Sequence, residues 1–203
     1  RNARINYEIT HPDLVHTLGM GYSKTKYDVQ GGGVSIGVEG DTEIGDIYLL
    51  SRWKRQREIN FSTRIGLALK RAEVDVNGTS IGVDRLAVFE VGVLYDSVDT
   101  RFQGLNRGYL TWYHGVNDTF GSLDGLENDN SLGANGMLTG QFSKTVAAFN
   151  RLQSLTRNHS LLFRFSGQYT EDILSSLEKM SLGGPYTVRA HAVSEYVLDT
   201  AVY

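Results

Sequence analysis

Apolar and polar residues alternate along nearly the whole chain. From Ile59 to Lys70 the set Ile59, Phe61, Thr63, Ile65, Leu67 and Leu69 alternates with Asn60, Ser62, Arg64, Gly66, Ala68 and Lys70. A period of two sends successive side chains to opposite faces of an extended strand, so one face here is aliphatic and the other small, polar or basic. Leu161, Phe163, Phe165, Gly167 and Tyr169 alternate in the same way with Leu162, Arg164, Ser166, Gln168 and Thr170, and Ala87, Phe89, Val91, Val93 and Tyr95 with Glu90, Gly92 and Asp96. Weaker versions run from Ile5 to Ile9, Leu18 to Lys26, Ile44 to Trp53, Tyr109 to Val116, Phe142 to Leu152 and Tyr196 to Tyr203. The pattern predicts about nine strands of roughly eight to twelve residues, the length that crosses a bilayer at a tilt. It assigns Ile59, Phe61, Ile65, Leu67 and Leu69 to lipid, and Arg64, Lys70, Glu90, Arg164 and Gln168 to an inward, polar face.

The connections alternate as well. Short links are expected near His11-Pro12-Asp13, Trp53-Lys54-Arg55-Gln56, Arg101-Phe102-Gln103-Gly104 and Thr156-Arg157-Asn158, and longer ones at Val29 to Gly40, Val74 to Asp84, Asp118 to Thr139 and Asp172 to Tyr196. Tight turns at one end and long loops at the other are the organisation of outer-membrane barrels. The expected fold is therefore all-β, an antiparallel meander forming part of a transmembrane β-barrel, with all of residues 1–203 in one barrel domain. A soluble β-sandwich or lectin-like domain needs shorter strands and less one-sided loops.

Composition agrees. Gly 23 with Pro 2 and Tyr 11 with Phe 8 suit long twisted strands, and a net charge of -3 does not suggest a nucleic-acid partner. A mean hydropathy of -0.26 is that of an ordinary soluble chain, but in a barrel only alternate residues meet lipid, so the average stays low. Cys 0 removes disulfides, thiolate metal sites and cysteine nucleophiles. The chain begins at Arg1 without a basic or apolar leader, so a secretory signal is expected upstream.

Little of the remaining chemistry is diagnostic. His11, His16, His114, His159 and His191 lack metal-ligand spacing and read as turn or lumen residues. Asp124 to Asn130 is acidic without the spacing of a calcium loop. Gly31-Gly32-Gly33 lacks the lysine and helix of a phosphate cradle, and no serine sits on a nucleophile elbow. Neither enzymatic activity nor a metal or other cofactor is expected.

The most specific segment is Leu182-Gly183-Gly184-Pro185-Tyr186-Thr187-Val188-Arg189-Ala190-His191. Its spacing resembles the Gly-Gly-Pro-x-x-Val-Arg-Ala-Tyr signature of two-partner secretion transporters, the outer-membrane barrels that export large adhesins and haemolysins. The resemblance extends to Ser176 to Pro185, to the stretches Phe142 to Gln153 and Leu162 to Gln168, and to Gly19 to Tyr27, while Glu195 and Asp199 fall where the family has acidic elements. His191 stands in place of an aromatic residue, and Leu198 and Ala201 in place of glycines.

The resemblance implies a bacterial outer-membrane pore that translocates an unfolded secreted protein to the cell surface. It implies a barrel of about sixteen strands, monomeric when complete, with cargo-recognising POTRA domains before Arg1 and the closing strands after Tyr203. Gly183, Gly184, Pro185, Val188, Arg189, Ala190, Glu195 and Asp199 would form the loop motif used in translocation, with Arg189 reaching an aspartate on a later strand. A guanidinium suits that task because it grips a carboxylate with two hydrogen bonds where lysine offers a point charge. Membrane lipid and the secreted partner are the expected partners. The alternatives are a barrel-assembly protein of the BamA or TamA type, against which Ala190 and the Gly-Gly-Pro spacing count, a passive porin-type channel, or the soluble lectin-like domain.

Overall fold

A computed structural model describes residues 2–30, 37–123, 139–185, 187–188 and 195–203. They form β1 (Asn2–Thr10), β2 (His16–Gln30), β3 (Gly37–Arg55), β4 (Ile59–Val76), β5 (Thr79–Asp99), β6 (Gly104–Val116), β7 (Phe142–Thr156), β8 (His159–Thr170), β9 (Met180–Leu182), β10 (Tyr196–Leu198) and β11 (Ala201–Val202). One nine-stranded sheet runs β1-β2-β3-β4-β5-β6-β7-β8-β11, with every neighbouring pair antiparallel, and β9 pairs with β10 in a separate ribbon. The meander is thus the all-β one expected.

Several strands outrun the expectation. β3, β4 and β5 contain 19, 18 and 21 residues, roughly twice what the bilayer requires. The reason for β4 and β5 is Asn77-Gly78, which closes a two-residue turn between the paired Val76 and Thr79 with both central residues at positive φ, 53° and 78°. Such turns match the twist of the flanking strands, so pairing continues to the tip. The expected loop from Val74 to Asp84 is therefore a hairpin end with a bulge after Val74. Likewise β2 and β3 pair through Gln30 and Gly37, leaving only 31–36 of the expected loop, and these lie outside the described residues. Cross-strand ion pairs hold the outer parts of β2 and β3, where Lys24 and Lys26 each lie 3.1 Å from Asp41, and within β4 Arg71 lies 2.7 Å from Glu73.

The expected ninth strand is also corrected. Tyr196 to Tyr203 is not continuous: Tyr196–Leu198 pairs with Met180–Leu182, and only Ala201–Val202 joins β8. A bend at Asp199 and Thr200 separates the two pieces.

Register fixes two faces. Lys70 is paired with Leu86 and Ile44, Arg64 with Gly92 and Leu50, Gly66 with Glu90, and Val146 with Gln168, so these residues share one face. Arg164, opposite Asn150, lies on the same face. The other face carries Phe61, Ile65, Leu67, Leu69, Phe89, Val91, Leu110, Trp112 and Phe163. Its large side chains are uncovered, with Ile65 45% and Phe163 54% exposed. A contiguous band of that kind marks a surface that meets something other than water.

The polar face is filled sideways. Tyr48 lies over Gly19 on β2, where a Cβ would overlap its ring, and its hydroxyl donates to Glu8 Oε1 on β1 at 2.5 Å. The Arg64 guanidinium stacks 3.8 Å above the same ring, donates to Glu90 at 2.5 Å and lies 3.6 Å from Asp46. This links β1, β3, β4 and β5 across the bare glycine position of β2. The buried apolar cluster, Leu86, Val88, Leu123, Phe142 and Leu174, also sits on this face, beneath chain that follows β8.

Candidate functional site

After Thr170 the chain leaves the sheet and folds back onto the polar face. Ser143 N donates to Asp172 Oδ2 at 2.7 Å and Asp172 N to Thr170 Oγ1 at 3.0 Å, which fixes the direction of departure. Leu174 then enters the apolar cluster and is fully buried. Two buried polar residues follow it. Ser175 Oγ donates to the buried Asp84 of β5, and Glu178, 2% exposed, sits between two lysines.

Glu178 is the centre of the arrangement. One carboxylate oxygen is 2.5 Å from Lys70 Nζ on β4, and the other is 2.8 Å from Lys144 Nζ on β7. Its carbonyl accepts from Lys144 Nζ at 2.7 Å and from Gln168 Nε2 at 3.0 Å. Gln168 also donates to the Asp199 carbonyl at 2.9 Å, and its own oxygen accepts from Lys144 at 3.2 Å. Burying charge is costly unless it is matched, and here one carboxylate is shared by two cations while Lys144 and Gln168 also bond the Glu178 carbonyl. Lys144 further lies 5.2 Å from the centre of the Tyr113 ring.

Asp199 closes the seat from the chain's end. Its Oδ1 accepts from Leu174 N at 3.1 Å and lies 3.5 Å from Lys179 Nζ, so the bend between β10 and β11 is tied to the start of the segment. Past Leu182 the chain turns through Gly183 and Gly184 at φ 114° and 96°, conformations that a side chain would strain. Gly183 N donates to Thr187 Oγ1 at 2.8 Å and Thr187 N to the Gly184 carbonyl at 3.3 Å, closing a turn around Pro185.

Of the residues singled out in the sequence, Lys70, Gln168 and Asp199 are brought together around Glu178. Arg64 and Glu90 pair with each other elsewhere on the face, and Arg164 is exposed on it. Gly183, Gly184 and Pro185 form the turn just described, Val188 is half-buried and Glu195 exposed. Arg189, Ala190 and His191 lie outside the described residues, as does Asp124 to Asn130. His114 is on the aliphatic face, bonded to Ser143 at 2.9 Å and stacked on Trp112, rather than in a turn or on the polar face as its spacing suggested. Glu178, Lys144, Asp84 and Ser175 were missed as a group. The sequence signals for them were a lysine on the polar face of β7, repeating the one at Lys70, and the family-like stretches Phe142 to Gln153 and Ser176 to Pro185, which contain Lys144 and Glu178.

A long-stranded antiparallel meander with an aliphatic outer band, a polar inner face and a chain segment folded onto that face is the wall of an outer-membrane β-barrel. Comparison with known proteins gives the particular kind. The family model of the haemolysin secretion/activation protein ShlB/FhaC/HecB matches residues 1–203, and the chain belongs to this family of outer-membrane transporters. Among solved structures it is similar to CdiB from Escherichia coli, with 18% identity and a TM-score of 0.79 over 99% of this chain and 36% of that one. It is similar also to CdiB from Acinetobacter baumannii, with 17% identity and a TM-score of 0.73 over 99% of this chain and 35% of that one. The chain thus spans about a third of the length of these solved chains. No curated relative matches the sequence.

Proposed function

We propose that the complete protein is an outer-membrane pore through which an unfolded secreted partner passes from the periplasm to the cell surface. The observation that carries this reading is the family match along the whole chain, joined to a segment that occupies the polar face just ahead of the Gly183-Gly184-Pro185 turn. A passive porin or a soluble lectin-like domain has no use for that combination. In this reading the face bearing Arg64, Lys70, Glu90, Arg164 and Gln168 lines the lumen, and the aliphatic face meets lipid. Gly183, Gly184, Pro185, Val188, Arg189, Ala190, Glu195 and Asp199 belong to the loop that cargo encounters. Transit is driven by folding of the cargo outside, without nucleotide, metal or catalytic residues, and the closed barrel works as a monomer.

The test is secretion per folded barrel in the full-length protein. Arg189→Ala keeps near-normal outer-membrane levels, since strand ladders do not depend on one loop contact, but loses most cargo release. Arg189→Lys recovers only part of it, because one ammonium cannot reproduce a two-point grip on a carboxylate. Wild-type release from Arg189→Ala would remove the motif from the mechanism.

A further inference from the structure

We infer that segment 172–182 is a fixed brace on the inner wall that stays seated while cargo passes, and that Glu178 is the residue positioning it. The inference rests on the transport reading above. Glu178 grips Lys70 on β4 and Lys144 on β7, strands separated in the sheet by β5 and β6. A single carboxylate joining strands three places apart spans a chord of the curved wall, which no hydrogen-bond ladder between neighbours can do. Ser175 adds β5 through Asp84, and Gln168 adds β8 through the Glu178 carbonyl, so four strands hold one short segment.

The chemistry opposes release. Withdrawing Glu178 leaves Lys70 and Lys144 without their shared counter-charge, and it also opens the apolar pocket of Leu174. At Gly183 and Gly184 the constraints change. The backbone there passes through two left-handed conformations, and Gly183 N and Thr187 N close a turn within 183–187.

Residues 1–203 contain Cys 0, and labelling of the full-length protein before any thiol is introduced sets the background for a single new cysteine. In the full-length transporter, Val88→Cys places a thiol on β5 beneath the segment, at a position 1% exposed in the Leu174 cluster, and Ile173→Cys gives a control at 53%. Labelling by a small, membrane-impermeant thiosulfonate is measured at rest and with cargo stalled in transit by a fused folded domain. The brace keeps labelling of the Val88→Cys thiol at least about tenfold below that of the Ile173→Cys thiol in both states, as expected for a site that opens only by local unfolding. A rise to the rate of the control when cargo is stalled overturns it. Proteolysis of unmodified protein within 171–182 is measured in the same two states, so a misfolded Val88→Cys variant does not remove the test.

The positioning role is tested at rest, without cargo. Adding Glu178→Gln to Val88→Cys raises labelling of the thiol about tenfold because the two lysines lose their counter-charge, and Lys144→Gln on top restores most of the protection. A residue that merely filled space would show no such recovery. Unchanged labelling in Glu178→Gln overturns its role. If the wild-type protein releases no partner at all, the transport reading fails, while the resting measurement still decides Glu178.

Discussion

Strands β4 and β5 and segment 172–182 lie against each other, yet they are held in different ways. The strands are joined by a backbone ladder from Ile59 opposite Ser97 to Val76 opposite Thr79, and their outer side chains add little to it. The segment has almost no ladder. Its place depends on one leucine, one serine and one glutamate, and the lysines paired with the glutamate and the aspartate that accepts from the serine are 34 to 108 residues away in sequence, in β4, β5 and β7. A ladder distributes its stability over many equal bonds, whereas a seat of this kind concentrates it in a few buried groups. Substitutions in the wall should therefore act through the solvent it faces, and substitutions in the seat through the lost partner.

The largest effect breaks the wall. Ile65→Arg puts a charge on the aliphatic band at a cost of about 2 to 4 kcal/mol at mid-membrane, and it should abolish most assembled barrel. Ala68→Arg, on the polar face and across from Asp46, should assemble nearly normally. Heat-modifiable mobility of membrane fractions reads both, and equal assembly would overturn the assignment of the two faces.

A middle effect separates the seat from the wall. Leu174→Ala empties a fully buried site and should weaken docking of the segment by about 2 to 5 kcal/mol. Limited proteolysis should then cut within 171–182 while the barrel keeps its heat-modifiable band. If the barrel is lost with the segment, the two regions are one cooperative unit and the comparison fails.

The smallest effect concerns neither. In the β1–β2 turn, Asp13 accepts from His16 N at 3.2 Å and Val15 N at 2.8 Å, and the His16 amide foremost, with that of Val15, holds its carboxyl below the ordinary range despite some desolvation. A depressed folded-state value means that the turn's gain is present above the ordinary carboxylate range and is lost as pH falls through the lowered value. Amide exchange at Val15 and His16 should accelerate in that acid window and not above it, with the wall unaffected. Asp13→Ala should show the fast exchange at neutral pH.

The sequence by itself determined the wall. A period of two is a local property, so the split of Ile59 to Lys70 into Phe61, Ile65, Leu67 and Leu69 against Arg64 and Lys70 follows from the pleat, and the register reproduces it. The glycine pair before Pro185 was legible too, as a turn no other residue types would favour. The length of β4 and β5 was within reach, because Asn77-Gly78 is a strong hairpin signal even inside a polar, charged stretch that reads as a loop. What only the tertiary structure decided is which inward residues do more than tolerate water. Lys70 and Arg64 occupy equivalent alternating positions, yet one meets a carboxylate from a chain segment 108 residues away and the other a glutamate on the adjacent strand. Alternation says which way a side chain points, and nothing in it says what chain will fold back to meet it.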